Sequence, residues 1–401
     1  MTNFNTLYFI ALLMNLHRAL CTSMADWSQL PRDLLHLIAK RLKTRIDLLR
    51  LRSICSSWRS SIALPPKQHR HTPIPTTDDS KFTLSLDLSE HTVYLIESQQ
   101  EGSPPKRWLV KVFEDQHGRM HLLDPLSSSK VVGFDNLLLD LREFKVFELC
   151  QEHVLHRTAT YGVHEPWRSR PVVEVDKVAL MCVGPENNDF ALVTPHRDGG
   201  GGGLAFFNSR IQQWITIGSH PATSSCIAVT HFEGKFYAVD TKGRTISLDQ
   251  FLDSKVVTNL GSDAYMKYSV EAGGELLVVE AYIPFPNAEG FIGSESYRGL
   301  CIDYFEVSKL NKEGGKWVKV KSLGDWVLFL GIYSSFSVLA SELPGCKRNC
   351  IVVTQPRWKE FNLDGHDTYV VELESGRSGP LENYPDFSKL LFPGDMGTSS
   401  A

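Results

Sequence analysis

The 401-residue sequence lacks the cysteine pattern of a disulfide-bonded or zinc-binding protein. Its eight cysteines are scattered, no Cys-x-x-Cys pair occurs, and only Cys346 and Cys350 lie close together. Asn-x-Ser/Thr glycosylation sequons are also absent. Disulfide frameworks and structural zinc sites both need regularly spaced cysteines. The pattern therefore predicts reduced, mostly buried thiols in a cytoplasmic or nuclear protein.

The sequence also lacks a strong net charge, which stands at −4 and gives no overall signal for binding nucleic acid or membranes. The charge is uneven, however, because residues 31–70 hold ten basic side chains against Asp33 and Asp47. A basic helical face suits an acidic protein partner, a phosphate backbone or solvent. The run Lys40–Arg45 is compatible with a nuclear signal, although a solvated face is the preferred interpretation.

Long apolar runs are scarce. The main one, Leu7–Met14, is too short to span a bilayer comfortably and lacks the basic residues that precede a signal-peptide core. Met24 follows soon after it. We therefore expect residues 1–23 to be an extension outside the fold, and we expect no membrane association.

Catalytic motifs are missing as well. There is no Gly-x-Ser-x-Gly elbow, and the glycine run Gly199–Gly203 lacks the Lys-Ser/Thr of a phosphate-binding loop, so it reads as a flexible loop tip. The pairs His117/His121 and His153/His156 have metal-compatible spacing but no accompanying cysteines or carboxylates. The sequence predicts no catalytic residue, no cofactor and no metal.

What the sequence does contain is a helical stretch from Trp27 to Pro65. Pro31 suits a helix start and Asp33 suits its first turn, where the helix dipole favours negative charge. An apolar stripe follows at a spacing of four residues, with Leu37 beside it: Leu30, Leu34, Ile38 and Leu42. Asp47 is a candidate N-cap for a second helix over Leu48–Ile54, and Ser56 or Ser57 could start a third that carries Trp58 and Ile62.

About forty residues cannot bury so many large apolar side chains alone, so either the rest of the chain or a partner covers part of the stripe. The order and spacing of Leu30-Pro31-x-x-Leu34-Leu35, Ile38, Leu42, Asp47-Leu48 and Ile54-Cys55-x-x-Trp58-Arg59 resemble an F-box. In that family the helices bind the Skp-type adaptor of a cullin–RING ubiquitin ligase. The resemblance implies eight residues in that contact or in the core beneath it: Leu30, Pro31, Leu34, Ile38, Leu48, Leu51, Ile54 and Trp58.

Beyond Ile62 hardly any long helical pattern remains, with Asp135–Arg142 as the main short exception. About twenty short apolar segments separated by turn residues predict an all-β region. The segments beginning at Phe190 and at Cys226 each form a similar three-strand unit, as the blades of a β-propeller do. A pair of large β-sandwiches is the structural alternative.

The later segments also resemble a family. Phe232–Gly243, Tyr268–Leu277, Phe305–Gly331 and Asn349–Ile351 are similar to plant F-box proteins with a C-terminal KIB-type β-propeller, the SKIP-like group. We therefore expect a mainly β protein. Its expected parts are an F-box over residues 26–65, a linker over 66–80, a propeller over 81–393 and a flexible tail over 394–401.

The two resemblances together imply a non-catalytic substrate-recognition subunit of a Skp–cullin–F-box ubiquitin ligase, located in the nucleus or cytoplasm. Its partners would be the Skp-type adaptor and an unidentified target protein. Two alternatives stay open: a propeller scaffold unconnected to a ligase, and a propeller enzyme or module that binds a small ligand or sugar. Co-purification with the adaptor separates the first interpretation from the others.

Overall fold

The computed structural model describes residues 29–42, 45–62, 71–74, 83–98, 105–115, 119–131, 144–159, 172–183, 189–198, 201–217, 226–262, 264, 266–282, 304–313, 315–331, 333–343, 345–356 and 366–391. The extension over 1–23, the helix expected over Asp135–Arg142, His117 and the tail over 394–401 lie outside these residues. The chain divides into two compact units, Met1–Gln68 and His69–Ala401. We call them the helical unit and the sheet unit.

The described part of the helical unit contains three helices, α1 (Arg32–Arg41), α2 (Arg45–Ser53) and α3 (Ser56–Ser61). Pro31 is extended and immediately precedes α1, while the Cys55 thiol caps α3 by accepting from the Trp58 amide at 3.5 Å. The helices enclose a small apolar core of Leu35, Leu42, Leu51, Trp58 and Ile62. The unit therefore has a core of its own.

The packing of the helical unit shows which leucine of α1 is buried. The inward face of α1 centres on Leu35, which is fully buried, whereas Leu34, a member of the stripe that either the rest of the chain or a partner was expected to cover, is 48% exposed. Leu35 stands outside the spacing of four and packs with Leu51 of α2 and Trp58 of α3. One detail differs from expectation: helix α2 begins at Arg45, so Asp47 lies in its first turn, 3.2 Å from Arg50, and is not the N-cap.

The described part of the sheet unit holds twenty-two strands, one further α-helix and two short 3-10 helices. The first nine strands are β1 (His71–Ile74), β2 (Thr83–Ser98), β3 (Arg107–Glu114), β4 (Met120–Leu123), β5 (Phe144–Ala159), β6 (Val172–Cys182), β7 (Phe190–Asp198), β8 (Gly201–Asn208) and β9 (Gln213–Ile217). The next eight are β10 (Cys226–Phe232), β11 (Lys235–Asp240), β12 (Arg244–Leu248), β13 (Ser254–Asn259), β14 (Met266–Ala272), β15 (Glu275–Tyr282), β16 (Tyr304–Asn311) and β17 (Lys316–Val320). The last are β18 (Trp326–Leu330), β19 (Ser335–Leu339), β20 (Cys350–Pro356), β21 (His366–Glu372), β22 (Ser378–Pro380) and helix α4 (Pro385–Leu391).

These strands form four sheets. The first has nine strands in the order β4-β3-β2-β5-β6-β7-β8-β9, with β1 added to β2. Two four-stranded meanders follow, β10 to β13 and β14 to β17, and the last sheet has the order β19-β18-β20-β21-β22. Pairing is antiparallel except between β18 and β20. The three-strand units expected from the sequence correspond to β7–β9 and β10–β12.

The sheets pack face to face and the last returns to the first. Strands β6 to β8 pack on β10 to β12, and β14 to β16 pack on β18, β20 and β21. The largest apolar cluster joins β2 and β3, through Val93 and Leu109, to Phe329 of β18, Phe336 of β19 and Phe387 of α4. The sheets therefore close into a ring, and the expectation of a mainly β protein with N-terminal helices is confirmed.

The first sheet departs from the expected short strands. The sequence predicts two separate strands here, Phe82–Leu88 and Thr92–Ile96. Phe82 lies outside the described residues, and the rest of both segments belongs to the single sixteen-residue strand β2. The polar residues between the two segments, Ser89 to His91, continue the strand and face polar groups of β5. Ser89 bonds His156 at 2.8 Å, and His91 lies 3.6 Å from Glu152.

Two expected irregular segments contain strand. Within the expected linker, β1 pairs with β2, opposing His71 to Ser89 and Ile74 to Leu86. Within the glycine run, Gly201 to Gly203 open β8 and pair with the end of β7. Backbone pairing needs no side chain, so neither apolar content nor periodicity revealed these strands.

Candidate functional site

Three large apolar side chains of the helical unit face solvent although the unit has its own core. The exposed fractions are 48% for Leu34, 57% for Leu37 and 52% for Ile54. Leu34 and Leu37 are three residues apart on α1, a spacing that places them on one helix face. Such a set of exposed apolar side chains on a separately packed unit is typical of a protein–protein contact.

Burial separates the eight residues predicted for this contact into three groups. Leu51 and Trp58 belong to the core, at 4% and 6% exposure. Leu30, Ile38 and Leu48 pack against that core while remaining partly accessible. Pro31, Leu34 and Ile54 are exposed. Leu37 was absent from the predicted set, although its spacing from Leu34 was visible in the sequence.

The comparisons with known proteins fit this arrangement. The F-box domain profile matches residues 27–69, and the KIB1-4 beta-propeller profile matches residues 75–377. The chain is an F-box protein of the KIB1-4 β-propeller family. The helical unit is accordingly its F-box, and the sheet unit is its propeller.

Several curated relatives align with most of this chain. F-box protein SKIP23 of Arabidopsis thaliana is 33% identical over 399 residues, which cover 92% of this chain and 95% of that protein. From the same plant, F-box protein At2g17036 is 30% identical, with coverages of 92% and 94%, and F-box/kelch-repeat protein At1g64840 is 28% identical, with coverages of 92% and 93%. Among solved structures, TolB from Acinetobacter baumannii aligns at 10% identity and a TM-score of 0.28, covering 72% of this chain and 63% of that one.

The F-box carries positive charge around its exposed leucines. Arg50 is paired with Asp47, and the Arg52 guanidinium donates to the Ile62 carbonyl, so both are engaged within the unit. Lys40, Arg41 and Arg59 are exposed and make no ion pair with any described residue. A partner surface carrying carboxylates would complement them.

The motif-like polar residues of the propeller shape turns. Asp240 accepts hydrogen bonds from the backbone amides of Lys242 and Arg244, at 2.9 and 2.8 Å, and from the Arg244 guanidinium at 2.8 Å. Gly243 completes that turn with a φ of +76°. The Asp325 carbonyl accepts from the Ala340 amide at 2.7 Å, which links the residue before β18 to the residue after β19. These contacts give Asp240 and Gly243 a role in the turn between β11 and β12.

The histidines flagged by spacing bind neighbouring polar groups separately. His121 pairs with Asp115 at 2.9 Å, His153 lies 4.0 Å from Glu90, and His156 bonds Ser89. Within the described ranges, no group of three or more His, Cys, Asp or Glu side chains could hold a metal ion. No helix in the described part of the chain is long and apolar enough to cross a membrane.

A buried polar cluster occupies one face of β2, β3 and β5. Lys111, with no exposed surface, lies 2.6 Å from Glu152 and donates to Ser128 and to Ser334 at 2.9 and 3.0 Å. Burial alone would raise the pKa of Glu152, but the Lys111 charge and the adjoining His91 lower it to about 2.

The same cluster places Ser89 Oγ 3.2 Å from His91 Nε2, in a serine–histidine–carboxylate order. Ser89 is only 1% exposed and also bonds His156, so a substrate cannot reach it. Because Ser334 precedes β19, the Lys111 contact ties the first sheet to the last. The cluster therefore holds the ring together.

Proposed function

We propose that this protein is the substrate-recognition subunit of a Skp–cullin–F-box ubiquitin ligase. The F-box would bind the Skp-type adaptor and the propeller would hold a target protein for ubiquitination. The observation that carries the proposal is the exposed set Leu34, Leu37 and Ile54 on an F-box whose core is already filled.

The proposal requires no catalytic residue in this chain, because ubiquitin transfer would occur on other subunits. The contribution of a receptor is proximity, which raises the effective concentration of target lysines near the ubiquitin-loaded enzyme. We further propose that the protein acts in the nucleus or cytoplasm, where such a ligase would be available.

A pull-down with purified Skp-type adaptor tests the proposal. Burying a leucine side chain contributes about 1.5–3 kcal/mol. If the adaptor covers both α1 leucines, the double variant Leu34→Ser/Leu37→Ser should weaken binding by roughly a hundredfold, since each 1.4 kcal/mol is about tenfold in affinity. The melting temperature of the F-box should change little, because both side chains are exposed.

Met120→Ser in the propeller is the matched control, because Met120 is as exposed as Leu37, at 57%. This variant should bind the adaptor as the original protein does. Equal binding by all three proteins, each shown to be folded, would contradict the adaptor-binding assignment. A wild-type protein with no affinity for any Skp-type adaptor would instead favour the non-ligase scaffold.

A further inference from the structure

A pocket of about 340 Å³ lies at the end of the propeller sequence, in the last sheet and the segment that follows it. The turn between β21 and β22 forms one wall, through Glu372 and Arg377. The start of α4 forms another, through Asp386 and the buried Phe387. A volume of this size equals roughly ten water molecules, enough for a free amino acid or a few peptide atoms.

A backbone hydrogen bond and two glycines shape the walls of this pocket. The Glu372 amide donates to the Arg377 carbonyl at 2.8 Å, which closes the turn. Gly345 has a φ of +85°, and a Cβ there would come within 3.0 Å of the Asp386 carboxyl carbon. A side chain at Gly379 would come within 3.3 Å of the Asn383 amide nitrogen.

The charges around the pocket are only partly paired. Lys347 and Glu372 form an ion pair at 2.8 Å. Arg377 and Asp386 carry opposite charges and line the same pocket, yet within the described residues neither side chain makes a hydrogen bond or an ion pair. Both groups are exposed and line the same pocket, so a ligand with matching charges can contact the two of them.

We propose that this pocket binds a ligand carrying both a carboxylate and a protonated amine, with the carboxylate on Arg377 and the amine on Asp386. A free amino acid and a short peptide with both ends unblocked share this chemistry. Binding by either would go beyond the adaptor-binding role of the F-box, and it does not depend on that role.

Glycine, diglycine and triglycine are suitable probes, because they hold the two charges at increasing separation while adding no side chain. Each further residue extends the chain by about 3.3–3.6 Å. Saturation-transfer NMR and titration calorimetry on the full chain should find at least one probe with a dissociation constant of about 1 mM or lower. Preference for glycine would identify a free amino acid, and preference for the longer probes would identify a short peptide with both ends unblocked.

The variants Arg377→Ala and Asp386→Asn should each weaken the best probe at least tenfold, as expected for a lost charge-assisted hydrogen bond. Arg348→Ala, an exposed arginine near the pocket that does not line it, should leave binding unchanged. Wild type and Arg377→Ala should bind the C-terminally amidated probe equally, because that probe has no carboxylate for Arg377 to contact.

N-terminal acetylation of the probe removes the positive charge of its amine, so wild-type protein should bind the acetylated probe more weakly. This measurement tests the Asp386 contact even if Asp386→Asn does not fold. The proposal would be overturned if no probe binds at a probe concentration ten times the expected dissociation constant. It would also be overturned if neither the two variants nor the two blocked probes weaken binding.

Discussion

Neighbouring leucines in α1 have different environments. Leu35 has no exposed surface and belongs to the F-box core, whereas Leu34 is half exposed. The same residue type, one position apart, therefore contributes to stability in one case and is free for a partner in the other.

Alanine substitution should separate these two contributions. Leu35→Ala should lower the free energy of unfolding of the F-box by about 2–5 kcal/mol, as for other buried leucines. Leu34→Ala should change it by less than about 0.5 kcal/mol, while reducing adaptor affinity. Circular-dichroism melts of an F-box fragment and adaptor titrations measure the two effects. A large loss of stability in Leu34→Ala would show that this side chain is part of the core.

The Lys111–Glu152 pair should make the free energy of unfolding of the propeller depend on pH in the acidic range. The pKa of Glu152 is lowered to about 2 in the folded protein, so its contribution is complete above the ordinary carboxyl pKa of about 4.5 and is lost as pH falls towards 2. The contribution should be on the order of 3 kcal/mol. Urea unfolding of wild type and Glu152→Gln between about pH 5 and pH 3 should show a shallower pH dependence in the variant. Equal slopes would mean that other carboxylates cause the acid sensitivity.

At the scale of elements, β1 belongs to the propeller although its sequence reads as a linker. Ile74 is 5% exposed and packs with Leu86 and Leu88 of β2. A propeller fragment over residues 69–393 should therefore be more stable than one over 81–393. The loss should be about 2–5 kcal/mol, comparable to truncating one buried isoleucine. Denaturant unfolding of the two fragments measures this difference. Equal stabilities would show that the pairing of β1 with β2 does not stabilise the propeller.

Contact between the first and last sheets depends on a glycine. A Cβ at Gly331 would collide with the Leu126 carbonyl and lie 2.8 Å from its Cα, and Ser334 donates to the Pro125 carbonyl in the same place. Gly331→Ala should therefore disturb the ring closure and lower the melting temperature strongly. Gly234→Ala is the comparison: its φ is +73°, but nothing lies within 4 Å. That variant should cost only about 1 kcal/mol. Similar melting temperatures for the two variants would show that the segment around Leu126 can move aside.

At the scale of the whole molecule, polar bonds join successive sheets of the propeller. The Trp317 indole donates to Thr245 at 2.9 Å, Ser337 donates to the Glu271 carbonyl at 2.7 Å, and Arg107 donates to the Glu342 carbonyl. Together with the apolar clusters between sheets, these bonds couple the ring into one cooperative unit. We expect propeller unfolding to give a single transition.

The N-terminal extension bears on where this molecule works. We predict that a chain beginning at Met24 binds the adaptor as the full chain does and shows the same nuclear or cytoplasmic location. Fluorescent fusions at the C terminus of both chains test the location. If the full chain alone enters the secretory pathway, residues 1–23 are a targeting signal and the proposed compartment is wrong.

The sequence by itself determined the F-box, the mainly β fold and the absence of recognised catalytic motifs. These depend on local signals, namely helical spacing, alternating strands and turn residues, which stand close together in the chain. It did not identify Leu35 as a core residue, nor join two segments into β2, nor find β1 or the pocket lined by Arg377 and Asp386. Each of these depends on which distant groups become neighbours: α2 and α3 cover Leu35, Glu152 and His156 lie beside the polar centre of β2, and the start of α4 lines one pocket with the last turn. Only the tertiary structure makes those groups neighbours, because burial and charge pairing act through space rather than along the chain.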